Sequence, residues 1–424
     1  MKQFYVGRPN LLSRERFMER VARILDSAWY TNDGPFVRAL EDAAAPVTGA
    51  RHVVAVANAT LGLELALEVL PDESPDTDGG IGEILVPSFT FVSTVHAVVR
   101  AGYRPVFVEV GDDFCLDVED ARRRLTPATR AVVACDLFGN LCDRAALASL
   151  GLPCVFDSAH ALGCGRAAGS IAAGGVCAVF SMHATKLVNS FEGGLIATES
   201  DEVAERLRGL RNNGFVNTEA REGRIESVGT NAKMSEIHAA MGLTNLEDIE
   251  RIVGHNREVF RLYARHLPDG VRLGRPNHPA SNFSYVVLRV DPSVRETLIA
   301  RLREIGVNAR SYFYPAHLTP AYRYLGASLP RTEALAASVI ALPQGMSVDE
   351  GIIESIGRCM ERALSPAIAS VPTTTTMTTT TTLSTTTAAP ADAMPAGQMP
   401  ARPPFPTSRP KRRRVKSRAL KAGV

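Results

Sequence analysis

Apolar positions along the first 370 residues follow two alternating rhythms. Residues 14–28 repeat at helical spacing, with Phe17, Val21, Ile24 and Leu25 on one face. The turn-rich stretch Trp29-Tyr30-Thr31-Asn32-Asp33-Gly34-Pro35 ends that helix, and a second helix is expected over 35–47. Short apolar runs without internal alternation then interleave with amphipathic segments. Strands are expected at 52–57, 84–86, 105–110, 131–135 and 154–157, and helices at 61–70, 91–101 and 144–150. Unalternating strands separated by helices predict an α/β fold with a mostly parallel sheet covered on both faces. Residues 234–264 read as one long helical region leading out of this unit. A smaller α/β unit should follow, with strands near 284–290 and helices near 293–305 and 348–363. The expected division is a large domain over 1–250 and a small C-terminal domain over 251–365.

Past residue 366 the pattern stops. The stretch 373–387 is almost pure threonine, Pro and Ala follow, and the end is Lys411-Arg412-Arg413-Arg414-Val415-Lys416. Such a composition cannot bury enough apolar surface to offset chain entropy, so 366–424 is expected to be disordered. This tail carries a charge of about +8, which leaves the body at about −6 within the overall +2. The basic cluster suits an anionic surface or a nuclear address, but it equally suits a solvated extension. Nothing in the body suggests a nucleic-acid role. The seven cysteines, an odd number without C-x-x-C spacing, are expected to be buried free thiols of a reducing compartment. The N-terminus lacks the apolar core of a signal peptide, and no window approaches a membrane span. A cytoplasmic protein without metal is expected.

Candidate chemistry concentrates where ligands bind in such sheets, outside the carboxyl ends of the strands. Asn58, Asp157 and Ser181 all fall at or just past such ends. The strand Cys154-Val155-Phe156-Asp157 ends in a carboxylate and is followed by Ser158-Ala159-His160. A further apolar run ends Ser181-Met182-His183-Ala184-Thr185-Lys186, with Glu192-Gly193-Gly194 beyond. A lone lysine here is ordinarily a surface charge, and a lone aspartate a helix cap. Together, 29 residues apart with one strand between them, they are what pyridoxal 5′-phosphate requires. Lys186 supplies the Schiff-base amine, and Asp157 pairs with the ring nitrogen.

Asn58-Ala59-Thr60 precedes a helix and suits a phosphate cup, with Thr60 also fitting a plain N-cap. Ser181 adds a hydroxyl. Of Phe89 and Phe91, one should stack on the ring and the other pack in the core. His160 suits a hydrogen bond to the coenzyme's phenolic oxygen, or a satisfied turn. His183 suits a structural role. The Gly163-Cys164-Gly165-Arg166-Ala167-Ala168 run matches a dinucleotide fingerprint in letters only, since neither the following helix nor the distant acid is present.

With these segments in view, the chain resembles the DegT/StrS-like nucleotide-sugar aminotransferases of fold type I. The likeness rests on Thr31-Asn32-Asp33-Gly34-Pro35, Val86-Pro87-Ser88-Phe89-Thr90-Phe91, Asp157–Ala161, Phe180–Lys186, Glu192-Gly193-Gly194, Arg211-Asn212-Asn213-Gly214 and Gly229–Glu236, in order. It implies a homodimer with composite active sites, in which Asn231 reaches the phosphate of the neighbouring subunit. It further implies that Phe91 stacks on the ring and that Thr60 and Ser181 contact phosphate. Tyr30, Thr31, Tyr314 and His317 become substrate-side candidates, the last two equally suited to packing. Asn58-Ala59 stands where Ser-Gly is commoner, and the tail has no counterpart.

The implied activity carries an amino group from an amino acid, L-glutamate by analogy, to a nucleotide-linked keto-sugar. The wording of 189–194 and 229–231 leans to a dTDP-4-keto-6-deoxyhexose, with a 3-keto substrate as runner-up. Dehydratase members of the family have histidine in place of Lys186, and a non-catalytic regulator would have no need of both Lys186 and Asp157.

Overall fold

Seven strands form one sheet: His52–Val56 (β1), Glu83–Pro87 (β2), Arg104–Val108 (β3), Thr129–Cys135 (β4), Cys154–Asp157 (β5), Cys177–Ser181 (β6) and Gly194–Thr198 (β7). Their order is β1-β7-β6-β5-β4-β2-β3. β7 is antiparallel to both its neighbours, and the remaining pairs are parallel. The protein is described by a computed structural model covering residues 2–71, 81–165, 169–216, 223–274, 276 and 278–365. The threonine-rich tail and Arg166-Ala167-Ala168 of the glycine motif lie outside the described residues.

The strands are buried on both faces, which explains their unalternating apolar runs. Val155, Val179 and Ile196 point into one core, while Phe156, Phe180 and Ala197 point into the other. Helices Arg14–Ser27 (α1), Pro35–Thr48 (α2) and, later in the chain, Glu236–Leu246 cover the Phe156 face. Ala59–Glu68 (α3), Ser93–Arg100 (α4) and Asp201–Arg211 (α5) cover the Val155 face.

Three expectations change. In α1 only Ile24 is buried, and Leu25 is 62% exposed. Adjacent helical residues lie about 100° apart, so both cannot face the same core. The expected helix at 61–70 begins two residues earlier, because Asn58 rather than Thr60 is the cap: its Oδ1 accepts from Leu61 N–H at 2.9 Å. The single long helix over 234–264 is two, Glu236–Leu246 (α6) and Ile249–His266 (α7). The break falls at Glu247-Asp248, where Arg16 and Arg20 of α1 hold the Glu247 carboxylate at 2.7 and 2.6 Å.

α7 runs from one core to another. Ile249 and Ile252 belong beneath the large sheet, Val259 and Tyr263 to the core of a second unit. There Arg272–Leu273 (β8), Val286–Arg289 (β9) and Val339–Leu342 (β10) form an antiparallel sheet in the order β8-β9-β10. Pro292–Glu304 (α8), Pro330–Ser338 (α9) and Glu350–Leu364 (α10) accompany it. The chain's start joins this unit too, since Phe4–Tyr5 pairs in parallel with Val307–Asn308. All seven cysteines are buried and free. No helix among the described residues is long and apolar enough to cross a membrane.

A second buried carboxylate neighbours the site. Asp136 follows β4 and is fully buried. Arg144 grips it with both terminal nitrogens at 2.6 and 2.7 Å, Ser158 Oγ donates to it at 2.6 Å, and Cys142 N–H at 2.9 Å. The guanidinium also lies 3.7 Å over the Phe156 ring. Removing one member of a buried ion pair leaves an uncompensated charge. Arg144→Ala should therefore cost about 3–5 kcal/mol of unfolding free energy in a urea titration. A loss within the range of a surface substitution would refute this role.

Candidate active site

β5 and β6 end side by side, with Asp157 in register with Cys135 of β4 and Val179 of β6. The Asp157 carboxylate is buried. Its Oδ2 accepts from Thr94 Oγ1 at 2.6 Å and its Oδ1 from Ala159 N–H at 3.2 Å. Burial pushes its pKa up, while the Thr94 hydroxyl, the Ala159 N–H and the charge of Lys186 pull it back. Thr94 is itself supported: Thr90 Oγ1 lies 2.8 Å from its hydroxyl, and Cys135 Sγ lies 3.3 Å from Thr90. Since the Thr94 proton goes to the carboxylate, Thr90 donates to Thr94. Burial keeps the Cys135 thiol protonated, so it donates to Thr90.

Lys186 lies in the turn beyond β6. The N-terminal strap presses on this turn. Gly7 has φ +72°, and a Cβ there would sit 2.9 Å from Thr185 O. Asn10 Nδ2 donates to Leu187 O at 3.1 Å, and Asn189 Nδ2 donates to Asn10 O at 2.8 Å. The Lys186 amine end is walled in, and desolvation lowers its pKa to about 8 against the opposing pull of Asp157, Tyr312 and Cys135. Its Nζ reaches Tyr285 Oη at 3.5 Å.

Around the pair stands an aromatic wall. Phe91 is 57% exposed, whereas Phe89 is fully buried, which separates the two candidates for a ring clamp. Phe313 bridges the units, 6.2 Å from Phe91, 5.9 Å from Phe138 and 6.2 Å from His160. His160 is buried, and burial followed by the charge of Lys186 holds its imidazole well below its usual pKa. A cavity beside Lys186 is lined by Gly7, Ser181, His160, Tyr285 and Gln344.

The turn Asn58-Ala59-Thr60 lies across β7. At Gly194 a Cβ would sit 2.8 Å from Ala59 N, so only glycine lets the turn approach this closely. Thr60 Oγ1 donates to Ser93 Oγ at 3.0 Å, and Ser181 Oγ accepts from His183 N–H at 3.3 Å. This donor set fits pyridoxal phosphate. A partly exposed aromatic face, a hydrogen-bonded carboxylate at a strand end, an amine of lowered pKa and a helix-start turn beneath which a Cβ has no room converge from four elements.

Other candidates are placed differently. Tyr30, Thr31 and Asn231 are exposed, and Asn231 Oδ1 accepts from Lys233 Nζ at 2.6 Å. Tyr314 is 66% exposed. His317 is buried, with Nδ1 at 2.6 Å from Ser88 Oγ and Nε2 at 3.1 Å from Glu333, so neither ring nitrogen is left for a substrate. His183 pairs with Thr185 at its exposed edge. Thr90, Thr94, Phe138 and Tyr285 were not singled out from sequence. Thr90 and Thr94 carried a signal, hydroxyls four residues apart at the start of a helix below a strand end. Tyr285, 125 residues from His160, carried none.

The model of the DegT/DnrJ/EryC1/StrS aminotransferase family matches residues 12–361. The dTDP-4-amino-4,6-dideoxy-D-glucose transaminase of Shigella dysenteriae is 32% identical over 373 residues, covering 84% of this chain and 97% of that protein. The GDP-perosamine synthase of Vibrio cholerae is 28% identical, covering 84% and 98%. The crystal structure of DesI with its TDP-sugar product superposes with a TM-score of 0.78 at 37% identity, covering 87% of this chain and 94% of that one.

The support of Asp157 by Thr94 is directly testable. Thr94→Val removes a hydroxyl that favours the ionised carboxylate, so the Asp157 pKa climbs further. Below that pKa a neutral carboxyl cannot pair with a ring cation. The acid limb of coenzyme affinity, read by absorbance titration, should move up by about one pH unit. An unmoved limb would remove Thr94 from the site.

Proposed function

From the DegT/DnrJ/EryC1/StrS aminotransferase family, to which the chain belongs, we propose that it moves the amino group of L-glutamate onto C4 of a dTDP-4-keto-6-deoxyhexose. The protein is a pyridoxal phosphate-dependent aminotransferase acting on nucleotide sugars. The observation that carries the residue-level reading is the combination of an amine lowered to about 8 at Lys186 with a buried, hydrogen-bonded carboxylate at Asp157. The sugar assignment draws support from the Shigella relative and from DesI, whose names specify a 4-amino dTDP sugar and a TDP-sugar product. The GDP-perosamine synthases make GDP sugars the competing nucleotide class.

When bound, the coenzyme supplies an aldehyde for amines and a ring that accepts electrons from a breaking Cα–H bond. Asp157 would keep a proton on the ring nitrogen. Phe91 would cover one face of the ring, and the 58–60 turn with Ser181 would hold the phosphate. His160 lines the ring site, but its Nδ1 accepts from Phe138 N–H and its Nε2 faces Tyr285 Oη, so the expected donation to the phenolic oxygen has no free ring nitrogen. Lys186 Nζ would hold the aldehyde carbon, and once displaced its free amine would carry a proton away from the donor's Cα and, in the return half-reaction, carry one to C4 of the sugar. An amine of pKa about 8 is partly free at neutral pH and can do both. Two copies of the chain complete the site, with Asn231 reaching across to the neighbouring phosphate. The exposed apolar side chains Trp29, Tyr30, Phe191, Ile225 and Val228 suit burial in such a dimer.

Borohydride treatment of the fresh protein should leave a stable coenzyme mass on Lys186, and Lys186→Ala should lose both this label and about 10²–10⁴-fold or more of turnover. With L-glutamate and a panel of dTDP-, UDP- and GDP-linked 3- and 4-keto-sugars, a dTDP-linked 4-amino sugar should form fastest, identified by mass and NMR. A label on another amine defeats the Lys186 assignment, and a 3-amino or GDP-linked product defeats the sugar assignment.

A further inference from the structure

Three proton-bearing side chains meet at Tyr285. Its Oη lies 3.2 Å from His160 Nε2 and 3.5 Å from Lys186 Nζ. The backbone decides which way the protons point. Phe138, in the left-handed conformation at φ +59°, donates its N–H to His160 Nδ1 at 3.2 Å. Nδ1 is therefore an acceptor without a proton. The buried imidazole is neutral, so its single proton sits on Nε2 and is donated to Tyr285 Oη. With that lone pair engaged, the phenolic proton has Lys186 Nζ as its remaining neighbour. Burial keeps the phenol protonated.

The arrangement is held from both sides. Asn282 Nδ2 donates to the carbonyls of His160 and Leu162 at 2.9 and 3.0 Å, and Ser284 Oγ donates to the His160 carbonyl at 3.3 Å. Ser284 N–H in turn donates to Asn282 Oδ1 at 3.0 Å. These contacts button the segment leading into β9 onto the turn after β5, and they set the His160 and Tyr285 rings 4.3 Å apart.

We propose that Tyr285 is the hydrogen-bond donor to the free amine of Lys186, favouring its unprotonated form and keeping it in place whenever it is not bonded to the coenzyme. In transamination the lysine is displaced and must wait, neutral, beside the carbon whose proton it moves. A flexible four-carbon side chain does not hold one position unaided. The other titratable groups facing the amine are Asp157, Tyr312, Cys135 and His160. Asp157 is engaged by Thr94 and Ala159, and Cys135 by Thr90. The contact is at the long end of hydrogen bonding, as contacts in a coenzyme-free site often are.

The inference rests on Lys186 being the coenzyme lysine, and its test separates the two. In the coenzyme-free full chain, acylation of Lys186 by an amine-reactive ester is followed against pH by peptide mass spectrometry. The wild-type midpoint should lie near pH 8. Tyr285→Phe keeps the ring, and hence the burial, but loses the donor, so the midpoint should rise by about one pH unit. In the holoenzyme kcat should fall about tenfold or more, with the KM for the amino donor within about twofold. ¹⁵N NMR of histidine-labelled, coenzyme-free wild type should place the His160 proton on Nε2. An unmoved midpoint in the variant, or a proton on Nδ1, overturns the role of Tyr285. If borohydride labels Lys186 and the midpoint stays put, only Tyr285 is wrong. If borohydride labels another amine while the midpoint moves, the contact stands and the coenzyme assignment fails.

Discussion

Two carboxylates are buried at the ends of adjacent parallel strands, and the structure has to stabilise both. Asp136 is neutralised outright by the two-pronged grip of Arg144. Asp157 has no such partner among the described residues. It is held by neutral donors, Thr94 Oγ1 and Ala159 N–H, with Thr90 and Cys135 behind Thr94. This difference separates a structural acid from the one proposed to pair with the coenzyme. A carboxylate paired with guanidinium has nothing left to offer a ligand cation, while one supported only by hydroxyl and amide dipoles still does.

The rest of the site depends on bringing distant chain segments to those strand ends. β7 runs against its neighbours, and Gly194 at its start lets the 58–60 turn settle against it. The N-terminal strap crosses from its pairing with Val307–Asn308 to the turn carrying Lys186, tying the second unit to the lysine through Gly7 and Asn10. From the other side, Asn282 and Ser284 fasten the approach to β9 onto the His160 turn. The lysine is thus clamped between two contributions of the second unit, and desolvation by that enclosure is the largest cause of its low amine pKa.

Much of this was readable in the amino-acid order, for a physical reason. A parallel strand buried on both faces has to be apolar throughout and becomes polar only where it emerges, so Asp157 and Ser181 announce themselves as strand ends. The Phe89/Phe91 ambiguity was also real in the sequence, since two residues of one type in one turn differ only in what packs on them. What stayed hidden is of two kinds. The break between α6 and α7 falls where Arg16 and Arg20 reach Glu247 from more than 200 residues away, a contact that the local period does not encode. Tyr285, Phe313 and the two occupied nitrogens of His317 likewise depend on contacts between units, which no local period encodes. A helix such as α7, whose two ends serve two cores, also has no single residue at which one unit stops.

The division of protonation states follows from these packing facts. Burial acts on both members of the pair, and it acts oppositely: it disfavours the charged lysine and the charged aspartate alike, lowering one pKa and raising the other. Left to burial alone, both would become neutral and the site would lose its polarity. The hydroxyl and amide donors act on Asp157 only, favouring its charge, while Lys186 receives no equivalent acceptor of comparable strength among the described residues. Donors around the acid and a shortage of acceptors around the base favour the charged carboxylate while leaving the amine partly free at neutral pH. Transamination requires that combination, a fixed anion to hold one proton and a mobile base to carry another. It arises here chiefly from the placement of neutral groups, with the charge of Lys186 adding to them and no arginine paired to the aspartate among the described residues.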